Sequence, residues 1–328
     1  MSLSDKIKEF EKKKILVIGE ALIDKYISGF ADKISPDAPV PNIKIENRFD
    51  YLGGIGLASQ YIKSLGGIPE ILTIVGGDYE GELFLRKIKE LKIESSGIYT
   101  DVNLKTPQIT RIKAMNQHVL RLETDYTSDI SQPTRQKFFE MIEQRSSDLG
   151  AIIILDYGMG GLFEDKFIQK LLIKLKQKYK NIPIIARPNL NNYYLYEGID
   201  LIKINLQKAL NILSINCYNE TSIIIVGKKI LNTSKCKNVL LNYLESESYL
   251  FSKGIEKIEK IEPILKQPVR SYVAVSSVMM AVLGLGYASG FQVKEVAQAA
   301  LYAAALTAKL PPVKFFGVKE LKDFISAN

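Results

Sequence analysis

The sequence predicts an α/β fold: a mainly parallel sheet covered by helices on both faces, with a small accessory sheet attached. Three observations predict it. Short continuous apolar runs recur along the chain, the pattern of strands buried on both faces. Amphipathic stretches at helical spacing fall between several of these runs, and such alternation makes βαβ units. Two other stretches alternate apolar and polar residues with period two, as half-exposed antiparallel strands do.

Taken in order, Lys14–Gly19 (KILVIG) reads as the first buried strand. Residues 21–50 and about 98–124 carry the alternating segments PNIKIENRF, QITRIKAM and HVLRLE and read as the accessory sheet. Glu70–Val75 (EILTIV) is the next buried strand, and the amphipathic Glu80–Leu91 after it is a helix. Ala151–Leu155, Ile182–Ala186, Leu201–Ile204 and Val239–Leu241 extend the sheet, with helical patterns at Arg135–Glu143 and Asp165–Gln177. The Ala-rich Val293–Lys309 is a helix stopped by Pro311–Pro312. No internal repeat, low-complexity tract or linker interrupts this order, so residues 1–328 are expected to form a single domain.

Composition narrows the function classes. The chain has 328 residues, 46% of them apolar, enough to bury roughly 75% of the unfolded surface. Its longest apolar runs, such as Ala151–Leu155 and Val278–Leu285, fall well short of the ~20 residues a bilayer span needs. The opening MSLSDKIKEFEKKK has no apolar stretch of the signal-peptide kind, so a soluble cytoplasmic protein is expected, with no membrane partner. Two cysteines, Cys217 and Cys236, make neither a disulfide framework nor a zinc pattern and read as ordinary thiols. The single histidine, His118, excludes a His-rich metal cluster, reads as solvent-facing, and leaves no metal site expected. Lys and Arg number 44 against 36 Asp and Glu, a net charge of +8. The basic residues are scattered and interleaved with Glu, so nucleic-acid binding ranks below recognition of a phosphorylated ligand.

Two features carry chemistry. GEALIDKY sets Asp24 just past the carboxyl end of the first strand, where ligands of open α/β sheets bind; a surface loop carboxylate is the plainer alternative. YLGGIGLASQYIKSLGG sets Gly53–Gly54 ahead of a helix, where the backbone can approach a ligand and helix N–H groups stay free; a tight turn would look the same. The tyrosines of NNYYLYEG, Tyr193, Tyr194 and Tyr196, read as surface packing.

Together these residues resemble the ribokinase (PfkB-type) sugar kinase family, and within it the kinase half of the heptose-7-phosphate kinase/adenylyltransferase enzymes. KISPDAPVP (Lys33–Pro41) is close to that subfamily's lid, and TPQITRIKAMNQHVLRLE (Thr106–Glu123) matches it at Thr110, Arg111, Lys113, Arg121 and Glu123. Asp156–Tyr157 with Gly160 is a third match. The likeness is close to about residue 160 and can be followed, more thinly, to Leu321. It implies a ribokinase-like α/β/α sandwich with a β lid, often dimeric through the lids. It also implies a sugar-phosphate site at Asp24, Lys33, Gly53, Gly54, Arg111, Lys113 and Arg121. Basic lid residues suit such a substrate, since guanidinium clamps phosphate bidentately. Leu57 stands where the family has an Asn for sugar hydroxyls.

The likeness breaks where phosphoryl transfer should occur. The family's Asp-x-Thr-Gly-Ala-Gly-Asp reads Ser271-Tyr272-Val273-Ala274-Val275-Ser276-Ser277. Ala274, Val275 and Ser276 replace the anion-hole stretch, and Ser277 replaces the aspartate that takes the acceptor proton. The Asn-x-x-Glu that organises magnesium reads Asn205-Leu206-Gln207-Lys208. Asp-Pro-Lys becomes Arg187-Pro188-Asn189, and Met159 stands where a Lys is usual. A strand continuing from Asn242 puts Glu247 where the family has glycine. No catalytic residue is intact. The expectation is a catalytically impaired homologue that keeps a sugar-phosphate pocket and forms a lid homodimer, or a heterodimer with an active paralogue. The alternative is an active Mg-ATP-dependent kinase with a non-standard base, for which Asp156 is the candidate. A basic nucleic-acid-binding protein is third.

Overall fold

The computed structural model describes residues 2–115, 117–126, 130–212, 214, 219–244, 246–264, 269, 271–311 and 313–328; Cys217 lies outside them. In chain order the strands are β1 (Lys14–Gly19), β2 (Ala21–Ile34), β3 (Pro41–Gly53), β4 (Ile68–Gly76), β5 (Ile98–Asp101), β6 (Gln108–Ala114) and β7 (Gln117–Thr124). After them come β8 (Ala151–Leu155), β9 (Ile184–Arg187), β10 (Leu201–Asn205), β11 (Asn238–Asn242), β12 (Ser248–Ser252) and β13 (Glu259–Ile261). The main sheet runs β13-β12-β11-β10-β9-β8-β1-β4-β5. It is parallel except at β12 and β13.

Continuous apolar strands are buried on both faces here because helices cover both. Alternate residues of β1 divide between the two faces. Ile15 and Val17 join the core beneath helices Gly54–Ser64, Val275–Ala288 and Val293–Lys309, while Leu16 and Ile18 join the core beneath Gln132–Gln144, Asp165–Lys178 and Glu220–Ser234. A three-layer α/β/α sandwich is thus what the chain adopts.

Two local expectations need correction, and one helix was not anticipated. Ile98–Asp101 is not lid but the half-covered edge of the main sheet, parallel to β4; an edge strand shows the same alternation as a lid strand. The segment from Asn242 to Glu247 does not continue as a strand. The β11 strand ends at Asn242, and Ser248 Oγ closes the turn by accepting from Tyr243 N at 3.0 Å and donating to Tyr243 O at 3.1 Å. Glu220–Ser234 (ETSIIIVGKKILNTS) is a helix that its β-branched run conceals. Ile223, Val226 and Ile230 supply the buried stripe, while Ile225 points outward.

The accessory sheet runs β3-β2-β6-β7. It grows directly from the carboxyl end of β1, since only Glu20 separates β1 from β2, and helix Gly54–Ser64 starts where β3 ends. The lid is therefore tied to the mouth of the sheet at both ends. Gly54 makes the return possible. Its φ is +53°, and a Cβ there would collide with the Glu20 carbonyl. Gly160 is also left-handed, with φ +78°, but opens onto free space.

Gly54→Ala is expected to cost about 2–4 kcal/mol, strain plus overpacking. Gly160→Ala should cost only the ~1–2 kcal/mol of the left-handed backbone. Urea unfolding of the two variants measures the difference, and equal losses would remove the steric account of the hinge.

Candidate functional site

The carboxyl ends of the central parallel strands set five polar residues side by side: Glu20 after β1, Asp156 after β8, Arg187 ending β9, Asn205 ending β10 and Asn242 ending β11. Ligands of open α/β sheets bind at such ends. The site has two halves of opposite character.

The first half lies under the lid. Strand register puts Asp24 of β2 opposite Tyr51 and Ile109, and Tyr26 opposite Phe49 and Arg111, all on one lid face. Arg111 Nη1 donates to Asp24 Oδ1 in an ion pair sheltered from solvent. Burial raises the Asp24 carboxyl above its ordinary value, against the pull of Arg111 and then Arg121. The Arg111 guanidinium lies 5.2 Å and the Lys113 ammonium 5.8 Å from the Tyr26 ring centroid, cation–π contacts that hold both over the same floor. A Cβ on Gly53 would collide with the Leu22 side chain and stand 3.2 Å from Asp24 Oδ2, so the glycine lets Leu22 pack beside that carboxylate. The structure thus brings Asp24, Gly53, Gly54, Arg111 and Lys113 together.

It does not bring Lys33 with them. Lys33 is exposed nine residues farther along β2, roughly 25–30 Å away at ordinary strand rise. Arg121, opposite Arg111 in register, is ion-paired with Glu123 at the edge of the second half. Leu57 is buried in the core and offers no group to a ligand. His118 is exposed, as its strand position predicts.

Between the halves sits a buried carboxylate pair that sequence reasoning missed in part. Glu20, with no exposed surface, accepts from Tyr157 N at 2.6 Å and Met159 N at 3.0 Å. Burial, then the Asp156 charge, pushes its carboxyl up to about 8. Asp156 accepts from Gly158 N at 3.0 Å, Asn192 Nδ2 at 2.9 Å and Tyr196 hydroxyl at 2.9 Å. Asp156, the candidate substitute base, is thus held by three internal donors and has no exposed surface. One expectation is corrected here. Tyr196 is fully buried rather than surface packing, and Tyr193 is buried as well; only Tyr194 is exposed. The signal for Glu20 was its place directly after the KILVIG strand.

The second half is a cleft of about 1010 Å³. Its described lining includes Arg121, Arg187, Lys203 and Lys208, together with Asn205, Asn242, Tyr157 and Ser276, but no carboxylate. Lys203 is 3% exposed and donates to Ser276 Oγ at 3.1 Å. Burial, then the charges of Arg187 and Lys208, push its ammonium down to about 7. Arg187 stacks 4.3 Å from the Tyr157 ring centroid and donates to the Asp156 carbonyl at 2.8 Å. Asn205 Oδ1 accepts from Lys208 N at 3.2 Å, capping the short helix after β10. Glu247 does not line the cleft; it lies in the turn before β12, where the Tyr249 hydroxyl donates to it at 2.6 Å. Nothing in the sequence reading singled out Lys203. Its signal was a lone lysine in the otherwise apolar LIKIN.

Helix Val275–Ala288 points its N-terminus at this cleft. Its cap, Ala274, has φ +67°, the left-handed conformation that a glycine would take without strain. Ser276 is on the wall, and Ser277 is buried with its Oγ 3.5 Å from the Tyr157 hydroxyl. A magnesium–nucleotide does not fit these residues. Magnesium is held through oxygen ligands, commonly carboxylates, and the described wall offers cations instead.

No family model matches the sequence. Among curated proteins the chain is 27% identical over 293 residues to the bifunctional protein HldE of Geobacter metallireducens, covering 89% of this chain and 58% of that one. It is 24% identical over 320 residues to HldE of Haemophilus influenzae, covering 98% and 65%. The chain spans about three fifths of the length of the curated relatives it matches. Among solved structures it is similar to phosphofructokinase-2 from Escherichia coli in complex with potassium, with TM-score 0.78 at 14% identity, covering 97% of this chain and 99% of that one. It is also similar to Arabidopsis thaliana ribokinase complexed with ribose and ATP, with TM-score 0.76 at 14% identity, covering 96% and 99%. The chain is a homologue of the HldE proteins, and its fold is that of the ribokinase-like sugar kinases.

The two buried groups give stability opposite pH slopes. Glu20 holds its proton to about 8 when folded, against an ordinary 4.5, so its contribution is full below 4.5 and is lost as pH rises toward 8. Lys203 sheds its proton near 7 when folded, against an ordinary 10.5, so stability recovers as pH rises from 7 to 10.5. Urea unfolding is expected to show a minimum near pH 7–8. Glu20→Gln should flatten the acid arm and Lys203→Met the alkaline arm, the latter by on the order of 5 kcal/mol. A monotonic profile in the native chain would contradict the burial of both charges.

Proposed function

We propose that this chain is a homologue of PfkB-type sugar kinases, of the heptose-7-phosphate kinase kind, that retains a sugar-phosphate pocket and has lost phosphoryl transfer. Its similarity to HldE over most of its length supports the sugar-phosphate class. The pocket is the lid half: Arg111 and Lys113 for the phosphate, Asp24 and the backbone at Gly53–Gly54 for the sugar. The observation that carries the loss is position 277. A kinase needs a base there to take the acceptor hydroxyl's proton, and a neutral serine 3.5 Å from a tyrosine hydroxyl cannot hold it. Asp156, the alternative base, is buried and held by three internal donors.

The proposal includes a single ribokinase-like domain over 1–328 and association through the lid. Phe30, Ile34, Ile45, Leu120 and Leu122 expose large apolar side chains on lid strands, and such clustering marks interaction surfaces. A homodimer satisfies it; a heterodimer with an active paralogue would do so as well. A tetrameric inhibited form of the related phosphofructokinase-2 has been solved. No described helix is long and apolar enough to cross a membrane, and a cytoplasmic site of action completes the proposal, with neither membrane nor nucleic acid as partner.

Heptose 7-phosphate is expected to bind in calorimetry, and Arg111→Ala to weaken it about 10–100-fold, the worth of a charged clamp. Mg-ATP hydrolysis or transfer with that sugar should stay at background; metal-dependent turnover would establish an active kinase instead. Leu122→Asp is expected to shift a sedimenting dimer to monomer without unfolding it. An unchanged sedimentation coefficient would take the lid out of the interface.

A further inference from the structure

Three cations from three elements meet on one wall of the cleft: Arg187 at the end of β9, Lys203 within β10 and Lys208 on the helix Leu206–Ile212. Among the described residues, none of the three has a carboxylate partner. Lys203 is the anomaly. An ammonium withdrawn from water and left beside two other cations is strongly unfavourable unless an anion completes the group. Among the described residues its one hydrogen bond, to Ser276 Oγ, leaves ammonium protons unassigned. A second orphan faces the same space: Asn242 is 3% exposed, lines the cleft, and its Oδ1 has no partner. The cleft is thus short of negative charge at Lys203 and of a hydrogen-bond donor at Asn242.

We propose that this cleft is a metal-independent site for a diphosphate group, held directly by Lys203, Arg187 and Lys208, with Asn242 accepting from a hydroxyl of the ligand. A diphosphate fits better than one phosphate on two counts. Two phosphoryl groups carry about three negative charges near neutrality, matching three cations, and about 1010 Å³ far exceeds what one phosphate fills. The N-terminus of helix Val275–Ala288 adds N–H groups on the same side. Protein cations take the place that a divalent metal has in phosphoryl-transfer sites. The metal is not merely dispensable: it would compete with the wall for the anion.

The shared chemistry has two sources, inorganic diphosphate and a nucleoside diphosphate, and Tyr243, Tyr272 and Leu244 on the lining could seat a base. The test is calorimetric titration of the full chain with sodium pyrophosphate and with ADP, both in EDTA. Both should bind. ADP much tighter than pyrophosphate assigns the source as a nucleotide, and equal affinities assign inorganic diphosphate. Lys203→Met should weaken both at least about tenfold, and Lys208→Ala, at an exposed position, severalfold. Excess Mg²⁺ should weaken binding. Circular dichroism checks that Lys203→Met is folded; if it is not, Lys208→Ala and Arg187→Gln carry the comparison. Absence of binding in EDTA, binding that requires Mg²⁺, or full affinity in the folded variants would overturn the proposal. Because no turnover is measured, the outcome is independent of whether the chain proves to be an active kinase.

Discussion

The whole architecture bears on one unfavourable placement: the Lys203 ammonium, held at the carboxyl end of a parallel sheet with cations for neighbours and no carboxylate. Its position is forced. The β10 strand lies in register between β9 and β11, its other side chains fill the two cores, and a one-residue slip would exchange those faces. The lysine can escape neither into water nor onto an acid. Among the described residues only the Ser276 hydroxyl hydrogen-bonds to it, and that serine is fixed by the first turn of Val275–Ala288. Stability lost at this point is compensated by the apolar sheet around it, and it makes sense as a preorganised site for an anion.

The molecule is divided by charge along the line of strand ends. Asp24, Glu20 and Asp156 are buried carboxyl groups on the lid side, each raised above its ordinary value first by burial. Arg187, Lys203 and Lys208 occupy the other side. Arg187 is the seam between them, donating to the Asp156 carbonyl while stacking on Tyr157. Tyr157 reaches Ser277 with its hydroxyl and Glu20 with its N–H. A ligand in either half therefore meets residues that pack against the other half.

What the sequence showed clearly were features whose cause is local. KILVIG after its lysine, and AIIIL throughout, are continuous apolar runs and form strands buried on both faces. Asp24 and Gly53–Gly54 stand out because strand ends and glycine turns are visible in one dimension. Ala274 was legible as a departure from the motif the sequence resembles, while its positive φ, a conformation that a glycine takes without strain, is visible only in the structure. What stayed hidden depends on distant partners. Lys203 looked like one lysine in a strand until Arg187 and Ser276 came beside it from elsewhere in the chain. Asp156 looked available until Asn192 and Tyr196 reached it. Glu220–Ser234 was concealed because three successive isoleucines favour a strand locally, while the stripe Ile223, Val226, Ile230 packs as a helix against the sheet. Lys33 matched a motif, but strand length carries it far from Asp24.

The most direct measurement is the ionisation of Lys203 itself, followed by NMR of the chain carrying labelled lysine, with Lys203→Met to assign the signal. The account predicts a titration near 7 in the ligand-free protein. A Lys203 signal titrating at the ordinary value near 10.5 would mean that water or an acid reaches the ammonium, and the cation-lined cleft would not exist as described.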